Sequence, residues 1–154
     1  MDILPASLLD LGPLRGIEHA CFDRDAWPLL DLMAVLSFPD VVRLKAVEAG
    51  RMIGFVAGDS RASQGLSWIA TIAVLPECQR RGIGRALLLA CEAQLSTPRV
   101  RLCVRTDNGA AIRLYEQEGY QRMDIWYRYY KDKGDALVME KAIERGEGYN
   151  HQHV

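Results

Sequence analysis

Ile72-Ala73-Val74-Leu75-Pro76-Glu77-Cys78-Gln79-Arg80-Arg81-Gly82-Ile83-Gly84-Arg85-Ala86-Leu87 reads as the end of an apolar strand, a short basic turn and the start of a helix. Leu75-Pro76 stops the strand, because proline cannot donate to a ladder. Beyond the turn, Ile83, Leu87, Ala90, Cys91 and Leu95 form one apolar stripe at helical spacing, halted by Ser96-Thr97-Pro98. The first N–H groups of such a helix have no partner within it, and the positive end of its dipole adds to them. Gly82 and Gly84 remove Cβ atoms where phosphates need close backbone approach, and Arg80, Arg81 and Arg85 supply charge around the rim. The turn is therefore a candidate anion cradle. The plainer alternative is a solvated basic helix start. There is no Gly-x-x-x-x-Gly-Lys-Ser/Thr, and Leu87 stands where a dinucleotide fingerprint needs its third glycine, so both of those phosphate motifs are excluded.

Outward from this turn the chain alternates helix and strand. Leu11–Ala20 and Leu29–Leu36 have helical periodicity. Val41–Val47 and Met52–Ala57 are strand-like around a hairpin turn at Glu48-Ala49-Gly50-Arg51. Asp59–Gly65 reads as a polar loop. Ser67–Val74 is the most apolar strand, expected at the centre of a sheet with both faces covered. Arg99–Arg105 alternates, with Val100, Leu102 and Val104 facing one way and Arg99, Arg101, Cys103 and Arg105 the other. Asp107 or Asn108 caps a short helix over Gly109–Glu118, which Gly119 ends. Tyr120–Tyr130 and Ala136–Glu140 complete the set as two strands, and a short strand near Ile3 precedes it. The pattern predicts one α/β domain over 1–145, with helices packed on a mixed sheet, and a polar, flexible tail over 146–154.

A chain of 154 residues with 49% hydrophobic residues supports one core. The 25% share of charged residues excludes a disordered or fibrous protein. With 19 basic and 20 acidic residues the formal charge is −1, which excludes a wholesale polyanion binder. Arg99, Arg101 and Arg105 share a strand face without interleaved aromatics, so no nucleic-acid partner is expected. The apolar runs Ile69–Pro76 and Ala86–Cys91 fall far short of the ~20 residues of a membrane span, and Met1–Pro5 carries no basic n-region. No membrane partner or signal peptide is expected. Cys21, Cys78, Cys91 and Cys103 form no Cys-x-x-Cys pair, which points to reduced thiols in the cytoplasm. His19 lies in an amphipathic stretch, and His151 and His153 lie in the polar tail, so no metal is expected.

Gln79-Arg80-Arg81-Gly82-Ile83-Gly84 resembles the Gln/Arg-x-x-Gly-x-Gly/Ala signature of the GNAT acetyltransferase superfamily. Asn108-x-x-Ala111-x-x-Leu114-Tyr115-Glu116-x-x-Gly119-Tyr120 resembles that superfamily's second signature, with the Asn-to-Tyr spacing intact. The resemblance spans Val41 to Lys141. Tyr129-Tyr130 followed by Gly134-Asp135-Ala136-Leu137-Val138-Met139 is similar to the ending of protein N-terminal α-amine acetyltransferases. Among these it is most similar to the bacterial enzymes that act on the N-terminal alanine of a small-subunit ribosomal protein.

The resemblance implies a largely antiparallel sheet flanked by helices and acetyl-CoA as the acyl donor. It places the pyrophosphate on Gln79, Arg80, Arg81, Gly82, Ile83, Gly84 and Arg85, and the pantetheine arm beside Ile72, Ala73 and Val74. A backbone N–H near Val74 would polarise the thioester carbonyl, and Asn108 would contact the cofactor while capping its helix. Tyr115 takes the position of the general acid that protonates the leaving thiolate. The family's base is a glutamate in Leu-Glu-Val-Arg, whereas this chain reads Leu102-Cys103-Val104-Arg105. Three routes stay open for the amine's proton: Cys103, Glu77, or a water relay to backbone carbonyls. A protein α-amine, with a reference pKa of ~7.7–8.0 against ~10.4 for lysine, asks least of a base. Acceptor selection would fall to Phe22, Asp23, Asp25, Trp27 and Tyr127–Tyr130, including Tyr129 and Tyr130. The expected partner is an amine acceptor, foremost a protein N-terminus. A small-amine acetyltransferase and a non-catalytic CoA-binding module are the alternatives, and the chain is read as a monomer or a homodimer.

Overall fold

The computed structural model describes residues 1–22 and 25–144. Its elements are β1 (Asp2–Pro5), α1 (Leu11–Phe22), α2 (Leu29–Ser37), β2 (Val41–Glu48), β3 (Arg51–Arg61) and β4 (Leu66–Val74). They continue with α3 (Ile83–Gln94), β5 (Arg99–Arg105), α4 (Gly109–Gln117), β6 (Gln121–Trp126) and β7 (Ala136–Ala142). Asp23 and the tail expected at 146–154 lie outside the described residues. The seven strands form one sheet in the order β1-β2-β3-β4-β5-β7-β6. Every neighbouring pair is antiparallel except β4–β5. This is the mixed, largely antiparallel sheet flanked by helices that the sequence predicts. No described helix is long and apolar enough to cross a membrane.

Strand alternation divides the core. Phe55 and Ala57 of β3 point to one face, where they meet Leu14 of α1 and Leu32, Val35 and Leu36 of α2. Val56 points to the other face and joins the larger cluster, with Leu87, Leu88 and Cys91 of α3, Ile112 and Tyr115 of α4, and Val100 and Met139 of the sheet. The β2–β3 turn carries Ala49 at φ 52° and Gly50 at φ 73°. Two successive left-handed residues give the turn the twist that a tight hairpin needs.

Three sequence expectations differ from the structure. The loop expected over Asp59–Gly65 begins later, because β3 runs on to Arg61. Asp59, Ser60 and Arg61 pair with Trp68, Ser67 and Leu66, so backbone pairing carries the strand through polar residues. The strand expected over Tyr120–Tyr130 ends at Trp126. Arg128 at φ 53° and Lys133 at φ 67° turn the chain back, leaving 127–135 as a loop. Finally, β4 is central, but Trp68, Ala70 and Ile72 remain half-exposed on it, so it is not covered on both faces.

Helix α3 approaches β3 closely at Gly54, where a Cβ would lie 2.9 Å from Leu87 Cδ1 and 3.2 Å from the Ala73 carbonyl oxygen. Gly16, exposed on α1, has nothing within 4 Å of its Cβ position. Gly54→Ala is expected to lower stability by about 1–3 kcal/mol through overpacking, against the usual gain in chain entropy. Gly16→Ala should raise it by about 0.5–1 kcal/mol. Urea midpoints of the two variants check both signs, and a stabilised Gly54→Ala would refute the close-packed α3–β3 interface.

Candidate active site

Strand β4 pairs with β5 only where Leu66–Trp68 face Arg99–Arg101. Beyond Trp68 each strand stays bound to its outer neighbour, β4 to β3 as far as Val74 and β5 to β7 as far as Arg105. The two therefore part. Ala57 pairs with Thr71 and Gly58 with Ile69, which leaves Ala70 as a bulge where the strands diverge. A cavity of about 630 Å³ fills the opening, with Ile69–Val74 on one wall and Leu102–Arg105 on the other. That volume is ordinary for a small-molecule site.

At one end of the cavity lies the cradle. Gly82 is the N-cap of α3 at φ 80°, with no side-chain cap, and Ala86 N–H is the first to bond back, to the Gly82 carbonyl at 3.0 Å. The N–H groups of Ile83, Gly84 and Arg85 precede that bond, in the first turn where a helix has no internal acceptor. A Cβ at Gly82 would meet nothing within 4 Å, so the space beside it is open. Arg80, Gly82, Ile83, Gly84 and Arg85 all line the cavity. Arg80 holds φ 63°, a left-handed conformation costly for a residue with a side chain, in the tight turn that leads into α3. Arg85 is 2.5 Å from Glu118 in a pair whose arginine is largely exposed. Such a pair is easily given up for a phosphate. Arg81 turns elsewhere: it grips the Glu48 carboxylate at 3.1 and 2.5 Å and is not among the cavity residues. Gln79 lines the cavity, and its amide donates to the Val74 carbonyl at 3.1 Å. Asn108 caps α4, its Oδ1 accepting from Ala111 N–H at 3.2 Å, and it also faces the cavity.

Tyr115 lines the same cavity. Helix α4 closes after it with Gly119 at φ 97° and a bond from Tyr120 N–H to the Tyr115 carbonyl at 2.9 Å, a glycine cap that fixes both tyrosines. The Tyr120 ring meets Tyr115 edge-on at 5.9 Å and is itself held by a 2.6 Å hydrogen bond to Glu92. Burial lifts the Tyr115 phenol well above its usual pKa, with the nearby Tyr130 phenol adding to the shift. Tyr115 therefore keeps its proton until a strong acceptor such as a thiolate needs it.

The proton acceptors expected from sequence fare differently. Cys103 lines the cavity, but burial pushes its pKa up to about 11, so at neutral pH it is a thiol and takes no proton. Glu77 is exposed, paired with Arg51 at 3.0 Å, and is not among the cavity residues. Two neighbours carried no sequence signal of their own. Cys21 donates to the Val74 carbonyl at 3.1 Å, and burial followed by the Glu18 charge raises its pKa to about 11. Glu18, fully buried on α1, accepts from the Thr71 hydroxyl at 2.8 Å and so ties α1 to the bulged stretch of β4.

Phe22, Asp25, Trp27, Tyr129 and Tyr130 also line the cavity, whereas Tyr127 is exposed and is not among its lining residues. Trp126 and Tyr129 meet tilted at a centroid distance of 5.5 Å, and Tyr129 meets Tyr130 edge-on at 5.0 Å.

The cavity thus joins the glycine-bearing start of α3, a stretch of β4 edge unpaired with β5 and a buried phenol, chemistry that suits the binding of an anionic, amide-bearing ligand. Residues 14–120 match the Acetyltransferase (GNAT) family, and the chain belongs to it. It is an N-acetyltransferase. It is 37% identical over 121 residues to the N-alpha-acetyltransferase RimI of Mycobacterium tuberculosis, covering 76% of each protein. Its fold matches the crystal structure of the ribosomal-protein-S18-alanine N-acetyltransferase from Escherichia coli with a TM-score of 0.85 and 28% identity, covering 95% of this chain and 96% of that one. Arabidopsis thaliana NAA60 in complex with acetyl-CoA shares the fold, with a TM-score of 0.81 and 22% identity over 92% of this chain and 98% of that one.

The raised thiol pKa values make a direct test. Alkylation of Cys21 and Cys103 by iodoacetamide is expected to be slow at pH 8 and to rise about tenfold per pH unit up to pH 10, as the thiolate fraction does. Peptide mass mapping against time measures it. A plateau below pH 9 at either cysteine would contradict the burial that raises its pKa.

Proposed function

We propose that the protein transfers the acetyl group of acetyl-CoA to the α-amine of a polypeptide N-terminus, by direct attack while both substrates are bound. The observation that carries this reading is that Tyr115, the start of α3 and the aromatic residues Trp27, Tyr129 and Tyr130 all line one cavity. The first-turn N–H groups of α3, with Arg80 and Arg85, fit the donor's diphosphate. The edge of β4 from Ile69 to Val74, unpaired with β5, fits the pantetheine amides. Acetyl-CoA supplies the activated acyl group: the neutral amine forms the new C–N bond as the C–S bond breaks, Tyr115 hands its proton to the departing sulfur, and the proton shed by the attacking nitrogen passes through water to the Tyr115 phenolate. Ile72, Ala73 and Val74 hold the thioester end against β4, and Asn108 closes that wall from α4.

The carboxylate supply favours an α-amine over lysine. Asp25 is the one carboxylate among the described residues lining the cavity, and Arg105 holds both its oxygens. With Cys103 protonated as well, the acceptor must arrive largely neutral. At pH 8 about half of an α-amine with a pKa of ~7.7–8.0 is neutral, against well under about 1% of a lysine amine at ~10.4. The relatives described above bear names that specify α-amines and an N-terminal alanine, in line with this reading. Four free thiols fit a reducing, cytoplasmic setting.

The deciding experiment offers acetyl-CoA with Ala-starting hexapeptides, Nα-blocked lysine peptides and small amines, following thiol release and locating the acetyl group by mass spectrometry. Acetyl on the peptide α-nitrogen is expected; transfer only to lysine or only to small amines would overturn the proposal. Tyr115→Phe is expected to lower kcat by roughly tenfold or more with acetyl-CoA binding unchanged. Unaltered kcat would remove Tyr115 as the acid.

A further inference from the structure

Arg105 ends β5 and carries its guanidinium into the acceptor end of the cavity. Nε and Nη2 donate to the two oxygens of Asp25 at 2.6 and 2.9 Å, and Nη2 also donates to Asp132 Oδ1 at 3.0 Å. The same guanidinium lies 4.2 Å from the centroid of the Tyr130 ring. Asp25 belongs to the connection between α1 and α2, whereas Asp132 and Tyr130 belong to the one between β6 and β7. One planar fork therefore joins the two loops that wall the acceptor slot.

The second loop is shaped around this side chain. A Cβ at Gly134 would lie 2.4 Å from Arg105 Nη1, so a side chain there would displace the guanidinium. Asp132 Oδ1 also accepts from Gly134 N–H at 3.0 Å, and Tyr130 N–H donates to the Gly134 carbonyl at 3.1 Å. The Arg105 and Asp25 side chains are 23% and 20% exposed, so solvent screens their pairing less than it would an open surface pair. Lysine supplies the same charge but neither the fork nor the stacking plane.

We propose that Arg105 is a positioning residue: it clamps the α1–α2 and β6–β7 loops at a fixed separation and so preforms the slot for an extended polypeptide N-terminus. This deepens the functional reading above and rests on it. Loops already joined lose less freedom when a peptide enters between them, so the benefit falls on peptide affinity. A single-residue acceptor, which reaches Tyr115 without spanning both loops, gains little.

The test compares an Ala-starting hexapeptide with alaninamide. Arg105→Lys is expected to raise KM for the hexapeptide about tenfold, with kcat, KM for acetyl-CoA and KM for alaninamide each within about twofold of wild type. Asp25→Asn should raise KM for the hexapeptide by a similar factor, and combining it with Arg105→Lys should add little to that rise, because both break one link. Asp132→Asn, on the exposed side, serves as the variant least able to disturb folding and should show a smaller effect of the same kind. Amide hydrogen exchange without any acceptor should rise in Arg105→Lys over both 25–30 and 127–135. Unchanged exchange in either loop, or equal losses for hexapeptide and alaninamide, overturns the clamp. If the wild-type protein acetylates no peptide, the functional reading fails instead, and hydrogen exchange alone then decides whether Arg105 joins the loops.

Discussion

Strands β4 and β5 hydrogen-bond at three residues and are then pulled apart by their outer neighbours, β3 and β7. Opening a sheet at its centre leaves backbone donors and acceptors without a strand partner, and it is tolerable only where solvent or a ligand meets them. The same opening brings the start of α3, which follows β4, and the start of α4, which follows β5, to the carboxyl ends of the parted strands. Ligands of sheets with parallel strands collect at this kind of location. The cradle at Gly82, the cap at Asn108 and the phenol of Tyr115 share one cavity because the two central strands do not stay paired.

What was legible in the sequence is what acts over a few residues. The proline stop after Leu75, the glycine turn into α3, the Asn108 cap and the Gly119 ending are all settled by neighbours within one helical turn. The two signatures carried the cradle and Tyr115 for the same reason. Contacts across long stretches of chain were not legible. Arg81 looked like a third cradle arginine, yet Glu48, 33 residues away, turns it to the other side. Arg105 looked like one more charge on an alternating strand, although its partners lie 80 and 27 residues away. The apolar run of β4 suggested cover on both faces, because composition does not distinguish a strand buried by protein from one that lines a cavity. The bulge at Ala70, where the strands part, leaves no trace in an apolar sequence.

Burial serves two chemical ends in this cavity. It keeps Tyr115 protonated, as the proposed donor to a leaving thiolate must be, and it keeps Cys21 and Cys103 as thiols with pKa values near 11. The second effect matters because a thiolate beside a thioester competes with the amine for the acyl group. A cysteine at position 103 is therefore compatible with transfer so long as it stays neutral. One low-dielectric wall both keeps the phenol protonated and silences the protein's own sulfurs.

That arrangement constrains the acceptor in turn. A carboxylate at position 103 would have been able to take a proton from an ammonium in place; a buried thiol does not, and Asp25, the one carboxylate among the described residues lining the cavity, is already bound through both oxygens. Freeing Asp25 to act as a base would break the link that holds the slot's two loops together, so proton removal and loop positioning compete for the same carboxylate. In the clamp proposed above it serves positioning. An acceptor that is already neutral near physiological pH suits this division of labour, and among protein amines the N-terminal α-amine is the one whose ordinary pKa meets that condition.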